Sequence, residues 1–243
     1  MIKFFRHIRK SLLMENKTGK YFKYAIGEIV LVVIGILIAL SINNWNSNRK
    51  NSLKEAQFLQ SFKTDLIANK KELNRVLNKT EITYNSSDSI IKFKNGQLDS
   101  LNIVNFVGCM MDATGFTVFQ SQEGTIQDIM GSGSLDIITN DSIRISIGSW
   151  QANLKDIREW ETLDKNSYVQ YSEYLQKQVK LYVRELNELP IDELKMNELL
   201  NDNIFLNRIS QRRRFPKILN NSYAELIPKL DGLIRLIDVE LKD

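Results

Sequence analysis

Two residue types that carry much of enzyme chemistry are nearly missing from this 243-residue sequence, which holds one cysteine, Cys109, and one histidine, His7. A single cysteine excludes an intramolecular disulfide and any multi-cysteine metal site. With the lone histidine near the N-terminus, the rest of the chain has no imidazole for a Ser-His-Asp triad, a zinc site or a proton switch near neutral pH. Turn formers are also scarce, with 3 prolines and 11 glycines. A β-rich fold needs a turn about every 8–12 residues, so the scarcity points to long helices. The length and a hydrophobic share of 43% suit one good-sized domain plus an anchor.

The formal net charge of +4 invites a nucleic-acid reading until the charge is located. Residues 1–24 contain seven Lys and Arg against Glu15 alone, a net of +6. Glu28 then subtracts one, which leaves residues 43–243 at −1. The basicity is a property of the tail. The Arg212-Arg213-Arg214 run reads as a solvated helix end, and no nucleic-acid partner is expected.

From Ile29 to Leu40 no side chain is polar, and no charge lies between Glu28 and Arg49. Such a run is a membrane span or a signal sequence. Tyr21, Phe22 and Tyr24 on one side and Trp45 on the other mark interfacial belts, and a helix over Tyr24–Trp45 is about 33 Å long at about 1.5 Å per residue. Ala39-Leu40-Ser41 offers a small-x-small cleavage site. The long basic region and both aromatic belts favour retention of the span. Seven basic residues precede the span, whereas Arg49, Lys50, Lys54 and Lys63 follow it, so the N-terminus is expected in the cytoplasm. The tail also spaces Ile2, Phe4, Phe5, Ile8, Leu12 and Leu13 at roughly helical intervals, which fits either a basic amphipathic helix on the anionic leaflet or a positive-inside determinant with no separate job.

Glu28 is the one charge in the span, close enough to the interface to snorkel. Glu28, Val32, Gly35 and Ala39 step along one helical face, and Gly35-x-x-x-Ala39 is a small-xxx-small pattern. That face is the candidate intramembrane interaction surface, for a second copy or for another envelope protein.

Beyond the span, Leu59, Phe62, Leu66, Leu73 and Val76 follow a 3,4 spacing with Asn69 in one slot. A long amphipathic helix is expected from about Asn51 to about Lys92, continuing directly from the span. Asn95-Gly96 ends it, and Ser100 offers a cap for a shorter helix carrying Ile103, Phe106, Met110 and Met111, closed at Thr114-Gly115. Ser121 offers a cap for a helix ending near Met130, with Gly131 or Gly133 as its left-handed stop. The Gly-Ser-Gly turn lacks the Lys-Ser/Thr of a P-loop, so it reads as a corner between helices whose successor starts at Asn140.

The stripe Ile143, Ile147, Trp150, Leu154, Ile157 resumes the 3,4 step. A polar register break at Glu161 and Asp164 follows, then Tyr168, Tyr171, Leu175, Val179, Tyr182 and Leu186, ending at Pro190. Ile191–Leu200 is a short helix. Leu219, Tyr223, Leu226, Leu230, Leu233 and Ile237 mark the last one, bent at Pro228. Met110, Met111, Phe116, Phe119, Trp150 and Trp160 are candidates for an apolar ligand pocket but suit an ordinary core at this spacing. Carboxylate pairs such as Asp156 with Glu159, or Asp192 with Glu193, receive no catalytic role, since this density of charge produces such pairs by chance.

The segments Met1-Ile2-Lys3-Phe4-Phe5-Arg6, Tyr24 through Leu40 and Ile42-Asn43-Asn44-Trp45-Asn46 resemble an uncharacterised single-span membrane-protein family of Bacteroidota known only as a domain of unknown function. Ser132-Gly133-x-Leu135 with Ile138-x-Asn140 resembles that family's second motif. The resemblance implies a membrane location and a helical extracytoplasmic domain, and it implies no activity.

The expected fold is all-α, with one N-terminal transmembrane helix followed by an elongated helical bundle. Residues 1–23 form the basic cytoplasmic tail, 24–45 the span and 46–243 the extracytoplasmic bundle at the inner membrane. The expected role is a non-enzymatic, membrane-anchored interaction or sensory module. The alternatives are a ligand-binding sensor that works through a partner, and a carboxylate-dependent enzyme. No catalytic, cofactor-binding or metal residue is assigned, and no cofactor is expected.

Overall fold

A computed structural model describes residues 18–93, 98, 102–179 and 193–242. The expected tail helix, the Ser100 cap and the Pro190 end lie outside the described residues. Those described form six α-helices and no strand. They are α1 (Thr18–Phe93), α2 (Ile103–Asp112), α3 (Gly124–Gly131), α4 (Asp141–Gln178), α5 (Glu193–Asn201) and α6 (Asn203–Glu240), with a 3-10 turn at Leu135–Ile137 before α4. The chain divides into two compact units, Met1–Ala56 and Gln57–Asp243, and the boundary falls inside α1.

In the first unit, α1 contains no proline and runs unbroken through Gly19, Gly27 and Gly35, and its apolar residues surround the helix instead of forming a stripe. Phe22, Ile29, Leu37 and Ile42 are all exposed. It is the one helix among the described residues long and apolar enough to cross a membrane. Just past the apolar run, the Arg49 guanidinium lies 5.9 Å from the centroid of the exposed Trp45 ring, a cation–π contact.

In the second unit, three long helices bury seams that repeat every seven residues, the spacing that keeps one helix face inward. On α1 the buried positions are Leu59, Phe62, Leu66, Asn69, Leu73, Val76, Thr80, Thr83, Ser87 and Ile90. On α4 they run Ile143, Ile147, Trp150, Leu154, Ile157, Glu161, Asp164, Ser167, Tyr171 and Leu175. On α6 the seam is Phe205, Ile209, Arg212, Pro216, Leu219, Tyr223, Leu226, Leu230, Leu233 and Ile237. Pro228, expected to bend the last helix, is inside α6, and so is Pro216.

These seams enclose two apolar clusters with a polar layer between them. The first cluster ends at Val76 on α1, Ile157 on α4 and Leu219 on α6, and takes in Ile126 and Ile129 of α3. The second begins at Ile90, Tyr171 and Ile209 and is completed by α2 and α5 through Phe106, Met110, Leu199 and Leu200. Thr80, Thr83, Ser87, Glu161, Asp164, Ser167 and Arg212 fill the layer between. Going from the first cluster to the second, α1 and α4 run forward and α6 runs backward.

Glu161 and Asp164 therefore do not break the register of α4. They continue its seam, with exposures of 6% and 2%, because each finds a buried partner on another element. The stripe expected to run to Pro190 as one helix of over 40 residues or as two nearly collinear ones is a single helix of 38 residues in its described part and reaches Gln178. The Gly131/Gly133 alternative is settled at Gly133, with φ +66°. Ser134 N–H donates to Ile129 O and Gly133 N–H to Met130 O, each at 3.2 Å. That is the paired bonding of a Schellman stop, whose left-handed residue is normally glycine. Asn140 caps α4 as expected, accepting from Ile143 N–H at 3.1 Å, and donates to Glu240 at 2.5 Å.

Candidate functional site

The most chemically loaded constellation in the chain is the polar layer of the bundle, and Arg212 is at its centre. Its exposure is 0%, so it is not part of a solvated helix end. The Arg212-Arg213-Arg214 run lies in the interior of α6 and its members diverge: Arg213 pairs with Asp88 at 2.6 Å, and Arg214 is exposed. A buried guanidinium is tolerated only when its donors are occupied. Nε of Arg212 donates to Ala113 O at 3.0 Å. One terminal nitrogen donates to Asp164 Oδ1 at 2.5 Å, Asp164 O at 3.1 Å and Ser167 Oγ at 2.9 Å. The other donates to Gly115 O.

Burial pushes the Asp164 carboxyl above its usual range against the pull of the guanidinium, and burial likewise lowers Arg212. One turn from Asp164, Glu161 Oε1 accepts from Tyr223 O–H at 2.6 Å and from Phe119 N–H at 2.7 Å. Burial and the neighbouring Glu161 carboxylate raise the Tyr223 phenol far above its ordinary value. Tyr171 O–H donates to Met110 O at 3.2 Å.

These groups bind the irregular segment between α2 and α3, whose backbone has no helical partners of its own and is satisfied by side chains from three long helices. Arg212 takes the carbonyls of Ala113 and Gly115, Arg75 donates to Val118 O, and Asn69 brackets Gln122 by accepting from its N–H at 2.6 Å and donating to its carbonyl at 2.9 Å. The N-terminus of α3 is capped from outside. Asp65 on α1 accepts from Thr125 N–H at 3.2 Å and from its hydroxyl at 2.6 Å. Ser121, the cap expected from local spacing, instead donates to Glu123 at 2.5 Å. Every donor and acceptor named in the layer faces another group of this chain, and together they position the segment.

The candidate intramembrane face is on the apolar part of α1. Glu28 is half-buried and Val32, Gly35 and Ala39 are exposed. Glu28 and Val32 share a shallow hollow with Ala25, Ile29 and Val33, and a Cβ added at Gly35 meets nothing within 4 Å. Internal packing gives no reason for a glycine there.

The six candidates for an apolar ligand pocket do not assemble. Phe119 and Trp150 belong to the first cluster with Trp160 packed on it, Met110 to the second, and Phe116 stacks on Tyr168 at 5.6 Å. Asp156 and Glu159 are exposed and Asp192 is outside the described residues. Among the described residues no cluster of three His, Cys, Asp or Glu is placed to hold a metal ion. Cys109 is half-buried, and burial raises its thiol above the ordinary value.

Several concavities lie on the second unit. An open trough of about 600 Å³ runs along α1 beside the irregular segment, lined by Lys71, Arg75, Lys79, Gln120 and Gln122, and its Arg75 is held by Glu72 at 2.7 Å. A smaller crevice of about 130 Å³ opens between α4 and α6, lined by Ser149, Trp150, Asn153, Leu226, Lys229 and Leu230 among others. The Trp150 indole is 5% exposed, and its Nε1–H is buried without a hydrogen-bond partner.

No curated protein and no solved structure matches the chain. Residues 28–210 match the Family of unknown function (DUF6090), a stretch that takes in the apolar part of α1 from Glu28, the Schellman corner and all of α4. The match covers about three quarters of the sequence, and the chain belongs to this family of unknown function.

Proposed function

We propose that this protein is a membrane-anchored, non-enzymatic helical interaction module of the cell envelope, with a cytoplasmic N-terminus and its bundle outside the cytoplasm. The observation that carries this reading is the apolar part of α1, none of which is buried inside the protein. A run of exposed Ile, Leu and Val of that length is unsuited to water and suited to lipid. Glu28, Val32, Gly35 and Ala39 supply the face through which the span meets a second copy or another envelope protein. The satisfied polar layer supports a structural and presenting role for the bundle.

The test is carbonate extraction of membranes followed by labelling of Cys109 with an impermeant maleimide. The protein is expected to remain in the membrane pellet and to label in intact cells after mild denaturation. Release into the soluble fraction overturns the anchor, and labelling that needs cell lysis overturns the orientation. Crosslinking of the native protein in membranes is expected to fall in Gly35→Leu, and an unchanged yield removes the proposed face. A second reading, a ligand-binding module that works through a partner, is favoured by one observation, the crevice at Trp150.

A further inference from the structure

We infer that the part of α1 just beyond the apolar run, residues 46–54, is a collar that gathers the phosphate headgroups of anionic lipids. The inference rests on the membrane-anchored reading above and names the lipid class that the anchor selects. Every residue of the collar is exposed, so it makes about two and a half turns of helix whose side chains are free of packing duties. No Asp or Glu occurs between Glu28 and Glu55, whereas Arg49, Lys50 and Lys54 all fall in this stretch. The collar therefore carries three cations and no acid of its own.

Depth selects lipid as the partner. Trp45, 65% exposed, marks the polar edge of the apolar run. The headgroup layer on each side of a bilayer is about 5–8 Å thick. At about 1.5 Å per residue, Arg49 and Lys50 lie about 6–8 Å beyond Trp45 along the axis, level with the phosphates. Lys54, at about 14 Å, reaches back with its long side chain. The Arg49 guanidinium, 5.9 Å from the Trp45 ring centroid, keeps N–H donors for a phosphate while it contacts the aromatic face. At about 100° per residue, Arg49 points to one side of the helix and Lys50 with Lys54 to another. Cations spread around a helix suit a ring of surrounding lipids better than one docked protein. Each is worth about fivefold in affinity for an anionic leaflet, the equivalent of about 1 kcal/mol.

The test reads the collar through Trp45 in the full-length protein. It is reconstituted in vesicles of phosphatidylcholine and phosphatidylglycerol in equal amounts, with brominated acyl chains on one lipid or on the other, since bromine quenches tryptophan only at close range. Trp150 and Trp160 belong to the second unit, and a Trp45→Phe sample subtracts their emission. The basic tail contains no tryptophan, so its own attraction for anionic lipid does not enter the signal. Brominated phosphatidylglycerol is expected to quench Trp45 the more strongly, with a relative affinity of roughly fivefold or more at low salt. That preference is expected to fall toward one in Arg49→Gln/Lys50→Gln/Lys54→Gln and at about 1 M salt, and to persist in Arg49→Lys. Equal quenching by the two lipids in the parent, or a preference that survives in the triple variant, overturns the collar. Quenching by neither lipid overturns the anchor itself, which keeps the two failures distinct.

Discussion

Replacing Asp164 by alanine leaves the Arg212 guanidinium buried with its charged partner gone. Breaking a buried pair in this way costs about 3–5 kcal/mol. Exchanging both residues for apolar ones of similar size, Arg212→Met with Asp164→Leu, removes the charge and the need for it together. The double variant is expected to be more stable than Asp164→Ala, with urea denaturation as the measurement. If the two are equally destabilised, the pair is not the unit that matters. A second residue-scale effect appears on acidification. The hydrogen bond from Lys92 holds Asp88 below its ordinary range, and the hydrogen bond from Tyr174 does the same for Asp202. A carboxyl lowered in the folded state is protonated first in the unfolded chain, so its stabilisation is present above the unfolded value of about 4 and is lost as pH falls through the folded one. Asp88→Asn with Asp202→Asn is therefore expected to lose less stability than the parent between neutral pH and pH values below that range, as read from urea midpoints.

At the scale of elements, the corner after α3 separates two glycines only two residues apart. Gly131 is inside the helix with open space at its Cβ position, whereas Gly133 has φ +66°. Gly131→Ala is expected to stabilise by about 0.5–1 kcal/mol through helix propensity. Gly133→Ala is expected to destabilise by about 1–2 kcal/mol, the cost of a left-handed backbone with a Cβ. Thermal melting of the two variants checks the opposite signs. The long helices and this corner were legible because periodicity and stop signals are local, and the six apolar seam positions read on α6 are all buried. The polar layer was not legible as such. Arg212 sits three residues after Ile209 and seven before Leu219, squarely on the seam, and spacing marks it as an inward position. A charged side chain normally stays at the surface, and the partners that let this one be buried come from segments distant in the sequence. The Asp65 cap on α3 escaped for the same reason, since its partner is 60 residues away.

At the scale of the whole bundle, the two apolar clusters differ in how they are closed. The first is lined mainly by the long helices α1, α4 and α6, while the second depends on α2 and α5, of 10 and 9 residues. Helices that short owe their stability to packing. Hydrogen exchange at rising urea is expected to show amides of α2 and α5 opening at lower free energy than first-cluster amides of α6. One shared opening energy for both sets would show that the layer transmits cooperativity without loss.

The buried arginine has a consequence for alignment. A seam that repeats every seven residues looks nearly the same after a slide of one repeat, about 10 Å along the axis at about 1.5 Å per residue. Leucines tolerate such a slide, but Arg212 meets Asp164, Ser167 and two carbonyls at one level only. It acts as an index mark, giving three otherwise interchangeable rows of apolar side chains a single permitted setting.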